Sequence, residues 1–432
     1  MMTQAFYSGI SGLKSNSFGI DAVTDNIANI NTVGFRGYRT EFSNMFEEMI
    51  HTQSGGTSVN SSVGVGVGVQ TSTMITSNGS LFLSNRNTDL AIDGDGWFGV
   101  QGEGRPVYTR DGAFNFDADD DLVTVDGFHV LGFMGNNFQP DFKTLPDGTV
   151  DKNYVLTETL DEIKLGEIGT QEKLRFPKTL TYPPVPTSTA KFFGNIGTDP
   201  IVRSLGASVI DSNNTKNTLR LEFTKNTVQN PPGSQWSVVA TTQTSDGKTV
   251  YDTKKGSVEF DATGALISTS LTSIDNNGVS VAIDLGREYS GIISVNRPAD
   301  TGSSLTDGTI GGDLQGYAIN QNAEVIATFT NGRQSSVGKI AIFHFQNDQG
   351  LERLTGSRFR ESPNSGEALF FKDENGNPVN GTTVVNFKLE NSNYAMTEGL
   401  TELIILQRAY DASSKLVTTA DQMMQKALSM DA

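Results

Sequence analysis

Cysteine is absent from all 432 residues. That removes disulfides, thiolate metal ligands and cysteine nucleophiles together. Histidine is scarce: His51, His129 and His344 stand far apart, so no zinc-binding spacing exists. Long apolar runs are missing too; no window approaches the roughly 18 residues of a membrane-crossing helix. The N-terminus, Met1-Met2-Thr3-Gln4-Ala5-Phe6, has no basic stretch followed by an apolar one, so no Sec signal is expected. Positive charge is in deficit, 32 Lys and Arg against 49 Asp and Glu, for a net charge of −17. A chain of that sign repels nucleic acid and anionic membrane, and its acidity serves solubility.

Signatures of catalysis are missing as well. Val63-Gly64-Val65-Gly66-Val67-Gly68-Val69 is glycine-rich but lacks the Gly-Lys-Ser/Thr of a phosphate loop. Asp117-Ala118-Asp119-Asp120-Asp121 has Leu122 where an EF-hand needs Gly and Phe128 where it needs Glu, so it reads as an acidic β-turn. No nucleophile elbow stands between a strand and a helix, and nothing singles out a carboxylate pair. No enzyme activity, cofactor or metal is expected.

What is present is amphipathic helix at both ends and β pattern between. Phe6, Ile10, Leu13, Ile20, Val23, Ile27 and Ile30 recur at helical steps, with Thr3 as the expected N-cap. Gly9, Gly12 and Gly19 interrupt the stripe, each costing about 1 kcal/mol against Ala. The segment is therefore expected to be disordered in a free monomer and to fold on assembly. The C-terminal stripe is Met396, Leu400, Leu403, Tyr410, Val417, Met424 and Leu428, widened by Ile404, Leu406, Ala420 and Ala427, with Ser392 or Asn393 as cap. Neither helix has apolar sequence beside it in the chain, so they are expected to pack on each other and on other copies, coiled-coil fashion.

After the first helix the chain turns at Asn31 to Tyr38. Phe42, Met45, Phe46 and Met49 predict a short helical turn, residues 51–62 a loop, and the Gly-Val alternation a strand with its valines on one face and bare backbone on the other. From about 73 to 390, short apolar runs alternate with turn signals, the pattern of β barrels or sandwiches. The stretch Tyr182-Pro183-Pro184-Val185-Pro186 and the region 302–312 mark boundaries around a more polar part. The expected fold is α+β and multidomain. Residues 1–30 pair with 391–432; 31–72 connect; 73–179, completed by 306–390, form an inner β domain; 180–305 form an inserted outer β domain.

Ile27-Ala28-Asn29-Ile30-Asn31-Thr32-Val33-Gly34-Phe35-Arg36 resembles the N-terminal signature of bacterial flagellar rod and hook proteins, which often have Pro where Val33 stands. Leu90-Ala91-Ile92-Asp93-Gly94-Asp95-Gly96-Trp97-Phe98 and Tyr108-Thr109-Arg110-Asp111-Gly112-Ala113-Phe114 resemble the inner-domain motifs of that family. Leu389-Glu390-Asn391-Ser392-Asn393 and Gln407-Arg408-Ala409-Tyr410-Asp411 resemble its C-terminal helix and the approach to it; Tyr394 and Gly399 depart from the pattern. The length of the insertion resembles the hook branch of the family, since rod members are much shorter.

The resemblance implies a curved hollow helical tube of identical subunits, transmitting torque as a universal joint. It implies axial packing between subunits through Phe6, Ile10, Leu13, Ile20, Val23, Ile27, Met396, Leu400, Leu403, Tyr410, Val417, Met424 and Leu428. It marks Asn29, Thr32, Gly34, Phe35, Gly94, Gly96, Phe98, Gln407, Arg408 and Tyr410 as motif residues. The implied partners are further copies, rod and hook–filament junction proteins, a hook cap and the flagellar type III export apparatus. The implied place is outside the cell, on the flagellum. A distal-rod or hook-like paralogue is the alternative within the class; a secreted adhesin or a cell-wall-acting enzyme is the alternative outside it.

Overall fold

The computed structural model describes residues 2–48, 62–144, 150–227, 229, 233–300 and 302–430. Two helices lie at the ends, α1 (Met2–Ala28) and α2 (Met396–Met430), with almost all else β. At 1.5 Å per residue α2 is about 52 Å long. Helix α1 already includes Thr3, so Thr3 is not its cap. Nor do Ser392 and Asn393 cap α2, whose first turn closes from Gly399 N to Ala395 O. Asn393 is instead committed to holding other backbone, described below. The described helices include none long and apolar enough to cross a membrane.

Strand β1 (Tyr38–Glu48) pairs antiparallel with β2 (Ser62–Met74). The expected helical turn is thus a strand: Phe42 and Phe46 are four apart, which puts them on one side of a strand as well as of a helix. Of the loop expected at 51–62, Ser62 opens β2 instead; Met49 and residues 51–61 lie outside the described residues. The register slips twice, at Gln70 and Val65; the side chains of Val63 and Val65 lie outside the described residues. The bare backbone is used: Ser15 Oγ donates to Val67 O at 3.0 Å and Val67 N to Ser11 Oγ at 3.3 Å. Gly66, at φ 122°, leaves no room for a side chain against Ser11.

Beyond the hairpin, strands 138–144, 150–156, 180–182, 312–319, 324–329, 334–340, 129–134, 97–101, 107–109, 358–360 and 352–354 bond in that order into one large, mostly antiparallel sheet. Trp97, Phe98, Gly99 and Val100 are all buried because apolar clusters cover both faces. Trp97 packs with Tyr108, Phe343 and Phe359, while Phe98 packs with Phe114, Phe176 and Phe329. The chain leaves this sheet at Tyr182 and re-enters beside it, Thr181 opposite Asp313. In between, a five-stranded meander over 203–269 and a second sheet built on 189–195 and 273–293 close on a core of their own: Phe192, Phe223, Trp236, Phe260 and Ile274.

One turn recurs in five hairpins: Asp117–Asp121, Asp211–Thr215, Asp261–Ala265, Asn320–Glu324 and Asp373–Asn377. In each, the first N–H donates to the fifth carbonyl and the fourth N–H to the first carbonyl. The first side chain's Oδ1 accepts the N–H groups of the third and fifth residues. The fourth residue (Asp120, Asn214, Gly264, Ala323 or Gly376) lies at positive φ. This is a type I turn with a bulge, whose twist suits a hairpin, and the Asx side chain stands in for a missing backbone acceptor. The acidic stretch at 117–121 is one copy. Asn320→Ala, which strands two N–H donors, is expected to destabilise the large sheet by about 1–2 kcal/mol, measured by denaturant titration.

Candidate functional site

The two helices meet through their smallest residues. A Cβ added at Gly9 would lie 2.6 Å from Val417 Cγ2, at Gly12 2.8 Å from Ser413 Oγ, and at Gly19 3.1 Å from Leu406. Gly399 sits 3.1 Å from Ile27 by the same measure. On α2 the buried line is Gly399, Leu406 and Ala420, with Ser413 half-buried between, every seventh residue. Glycine lets the axes approach, and the packing offsets the propensity those glycines lose.

The expected stripe residues divide on this seam. Val23 is buried; Phe6, Ile10, Leu13, Ile20, Ile27, Leu403, Val417 and Met424 are half-buried; Met396, Leu400, Tyr410 and Leu428 are exposed. Tyr7, Phe18, Ile404, Ile405, Leu416 and Met423 are exposed as well. A groove of about 430 Å³ runs along α2, lined by Ala5, Ala412, Leu416, Thr419, Ala420 and Met423 with Lys415. Exposed apolar surface at this density marks an interaction face.

The helices join the β domains at a buried ionic junction. Glu390, just before α2, meets Arg36, just after α1, and Arg110 from the large sheet, each at 3.3 Å. The three side chains are 2–3% exposed. Both guanidinium groups lie over Trp97, at 5.8 and 5.6 Å from the ring centre. Two cations share one directly paired carboxylate. Burial, then the charge of Arg36, push Arg110 down to about 10, against the pull of Glu390 and Asp95. Burial also lowers Arg36, with Glu390, Asp348 and Asp95 opposing. Arg110 Nε has no partner among the described residues.

Side-chain amides lock the backbone around this junction. Asn26 exchanges two hydrogen bonds with the Tyr38 backbone, at 2.6 and 2.9 Å. Gln349 does the same with Met74, at 2.9 and 2.7 Å. Asn393 accepts from Gly37 N at 2.8 Å and donates to Ile75 O and Ser77 O at 2.7 and 2.8 Å. Arg353 reaches from the sheet to Asp25 of α1 at 2.8 Å, over Phe35 and Tyr38.

Most of the motif residues gather here. Asn29 donates to Asp25 O at 2.9 Å and accepts from Thr32 at 3.3 Å, closing the end of α1. Gly34 N donates to Glu390 O at 2.8 Å. Phe35 is buried. Gly94 O accepts from Arg110 at 2.8 Å. Gly96, at φ 125°, lies against Ile342 and His344, and Phe98 enters the core. Gln407, Arg408 and Tyr410 stand apart, exposed on α2. Sequence reasoning missed the pairing of Arg36 and Arg110 with Glu390, and the amides Asn26, Gln349 and Asn393. Arg36, Arg110, Glu390 and Asn393 lie inside the quoted motifs, but no periodicity links positions some 280 residues apart.

Asp117, Asp121 and His129 also converge, ligand atoms within 4.8 Å of one another. Asp117 Oδ1 is taken by two N–H groups of its turn and both oxygens of Asp121 by Arg175, at 2.6 and 3.1 Å.

Comparison with known proteins falls on these same segments. A family model described as Flagella basal body rod protein matches residues 6–36. The Flagellar hook protein FlgE/F/G D1 domain matches 91–170, and the Flagellar basal body rod FlgEFG protein C-terminal matches 387–430. The flagellar hook protein FlgE of Borreliella burgdorferi is 27% identical over 457 residues, covering 98% of this chain and 99% of the relative. Along its whole length the chain is similar to flagellar hook proteins. Escherichia coli FlgE is 26% identical, over 97% of this chain and 98% of its own. The crystal structure of Helicobacter pylori FlgE2 superposes with a TM-score of 0.53 at 17% identity, covering 72% of this chain and all of that one; it shares the fold. The similarity is to structural flagellar subunits, not to enzymes.

Proposed function

We propose that this chain polymerises into a curved hollow tube that joins rod to filament and transmits torque while bent. One observation carries the reading. The match to hook proteins runs through the whole chain, including the inserted β unit, at 97–98% coverage on each side. We read residues 1–30 with 391–432 as the axial layer, 31–72 as its connection, 73–179 with 306–390 as the inner domain and 180–305 as the outer domain. The exposed face of α2 then packs against neighbouring copies in coiled-coil-like fashion, Met396, Leu400, Tyr410 and Leu428 with it. Helical growth needs such a heterologous, non-closing contact. The polar outer unit suits a wet interface that slides as each row of subunits lengthens and shortens. Rod and hook–filament junction proteins would bound the polymer, a cap would guide its growth, and the type III apparatus would export it unfolded.

Antibody to residues 180–305 should label isolated hook–basal bodies along the curved segment; label confined to the straight shaft would make the chain a rod protein. Leu416→Asp, on the exposed groove, should leave subunit stability within about 0.5 kcal/mol and abolish polymers in negative-stain micrographs. Normal polymers from that variant would remove the groove from the interface.

A further inference from the structure

The loop 75–80 carries a constellation around an exposed Asn–Gly pair. Asn78 is exposed, and Gly79 follows it. Arg36 Nη2 donates to Asn78 Oδ1 at 3.0 Å, while Asn78 Nδ2 donates to Gly94 O at 3.1 Å. Both partners demand the same orientation of the amide. Gly79 N donates to Glu390 Oε1 at 2.8 Å. The loop is held from both sides. Arg36 and Asn393 bind Ser77 O, and Asn391 N donates to Ser80 O at 2.9 Å. Gly79 is pressed so close to Asn391 O that a side chain could not fit.

These contacts supply the two aids that attack on an amide requires. A cation sits on the oxygen where negative charge would develop, and a carboxylate accepts the hydrogen of the nucleophilic nitrogen. We propose that Asn78–Gly79 is a self-modifying site, at which the folded chain converts Asn78 to aspartate or isoaspartate through a cyclic imide.

Gly79 N forms a bond to Asn78 Cγ as its proton passes to Glu390. The Oδ1 oxyanion faces Arg36. The Cγ–Nδ2 bond then breaks, and the amide nitrogen leaves as ammonia with the proton that Glu390 returns. Water opens the imide at Cγ, breaking the new bond to Gly79 N and leaving aspartate, or at the Asn78 backbone carbonyl, leaving isoaspartate; either way the net change is amide plus water to acid plus ammonia, with no oxidant or reductant. Because an N–H hydrogen bond lies in the peptide plane, the bond to Glu390 does not itself occupy the face of the nitrogen that attacks. The product places a second carboxylate beside Arg36, where two guanidinium groups now share Glu390.

Other Asn–Gly pairs lack one aid or both. Gly332 N and Gly376 N donate to the backbone carbonyls of Phe329 and Asp373, which take no proton. Gly278 N meets Asp275 Oδ2 at 3.0 Å, but its Asn277 amide is held by Asp211 rather than by a cation. Asn380 is buried, its amide fixed to Ile340 and Ile342.

The test is a time course of the full purified chain in heavy-oxygen water, native and in urea, read by peptide mass spectrometry at each Asn–Gly pair. Native Asn78 should gain labelled oxygen roughly tenfold or more faster than unfolded Asn78, while Asn331 and Asn375 should not be accelerated by folding. If folding slows Asn78 or leaves its rate unchanged, or accelerates Asn331 and Asn375 equally, the proposal falls. No variant is needed, so loss of folding cannot confuse the result.

Discussion

Glu390→Ala should destabilise the junction by about 3–5 kcal/mol, the scale on which removing one partner of a buried ion pair acts. Arg36 and Arg110 would keep their burial and lose the carboxylate paired with both. Gly79 N would lose its acceptor too. Arg110→Met should cost clearly less, because it removes the surplus cation, already pushed down by burial and by Arg36, and leaves the Arg36–Glu390 pair intact. That ordering is the diagnostic. If Arg110→Met costs as much as Glu390→Ala, packing over Trp97 dominates and charge balance does not. The chain has two tryptophans, Trp97 at the junction and Trp236 in the core of the outer unit. In a Trp236→Phe background, fluorescence during denaturant titration reports the junction alone. In a Trp97→Phe background it reports the outer core, which should not respond to Glu390→Ala.

The two helices and the β2 strand were legible because each rests on a periodicity local to its own residues. What failed was whatever depends on a partner. Phe42 and Phe46 satisfy helix and strand alike, and only pairing with β2 decides between them. Asn393 is a good cap by type, yet three backbone groups from residues 37, 75 and 77 claim its amide. The apolar stripes showed that burial was needed without showing against what. Within one chain glycines fill the helix seam, and much of the large apolar surface is left facing outward. The junction was least legible of all. Buried arginines look like surface residues in a sequence, and three segments far apart in the chain must meet before their charges are accounted for.

The same junction sets the most severe test of how helices and β domains are joined. Gly34 lies at φ 64°, and a Cβ there would lie 2.5 Å from Arg110 C and 2.9 Å from Arg110 O, and closer still to Asp111 N. These are backbone atoms, fixed by the sheet, and cannot rotate away as a flexible side chain would. Gly34→Ala therefore combines a left-handed backbone cost of about 1–2 kcal/mol with an overpacking cost of about 1–3 kcal/mol. The expected result is a loss of order 2–5 kcal/mol at the Trp97 reporter and failure to polymerise, since residues 34–37 would detach from Glu390 and Asn393. Gly34→Asn separates the two causes. Asparagine tolerates positive φ but still carries the Cβ, so it should not rescue the chain. Gly127→Asn, at φ 80° with nothing within 4 Å, should be nearly silent. Rescue by Gly34→Asn would mean that backbone conformation alone fixes glycine there, and that the helices are held to the sheet with more slack than this packing allows.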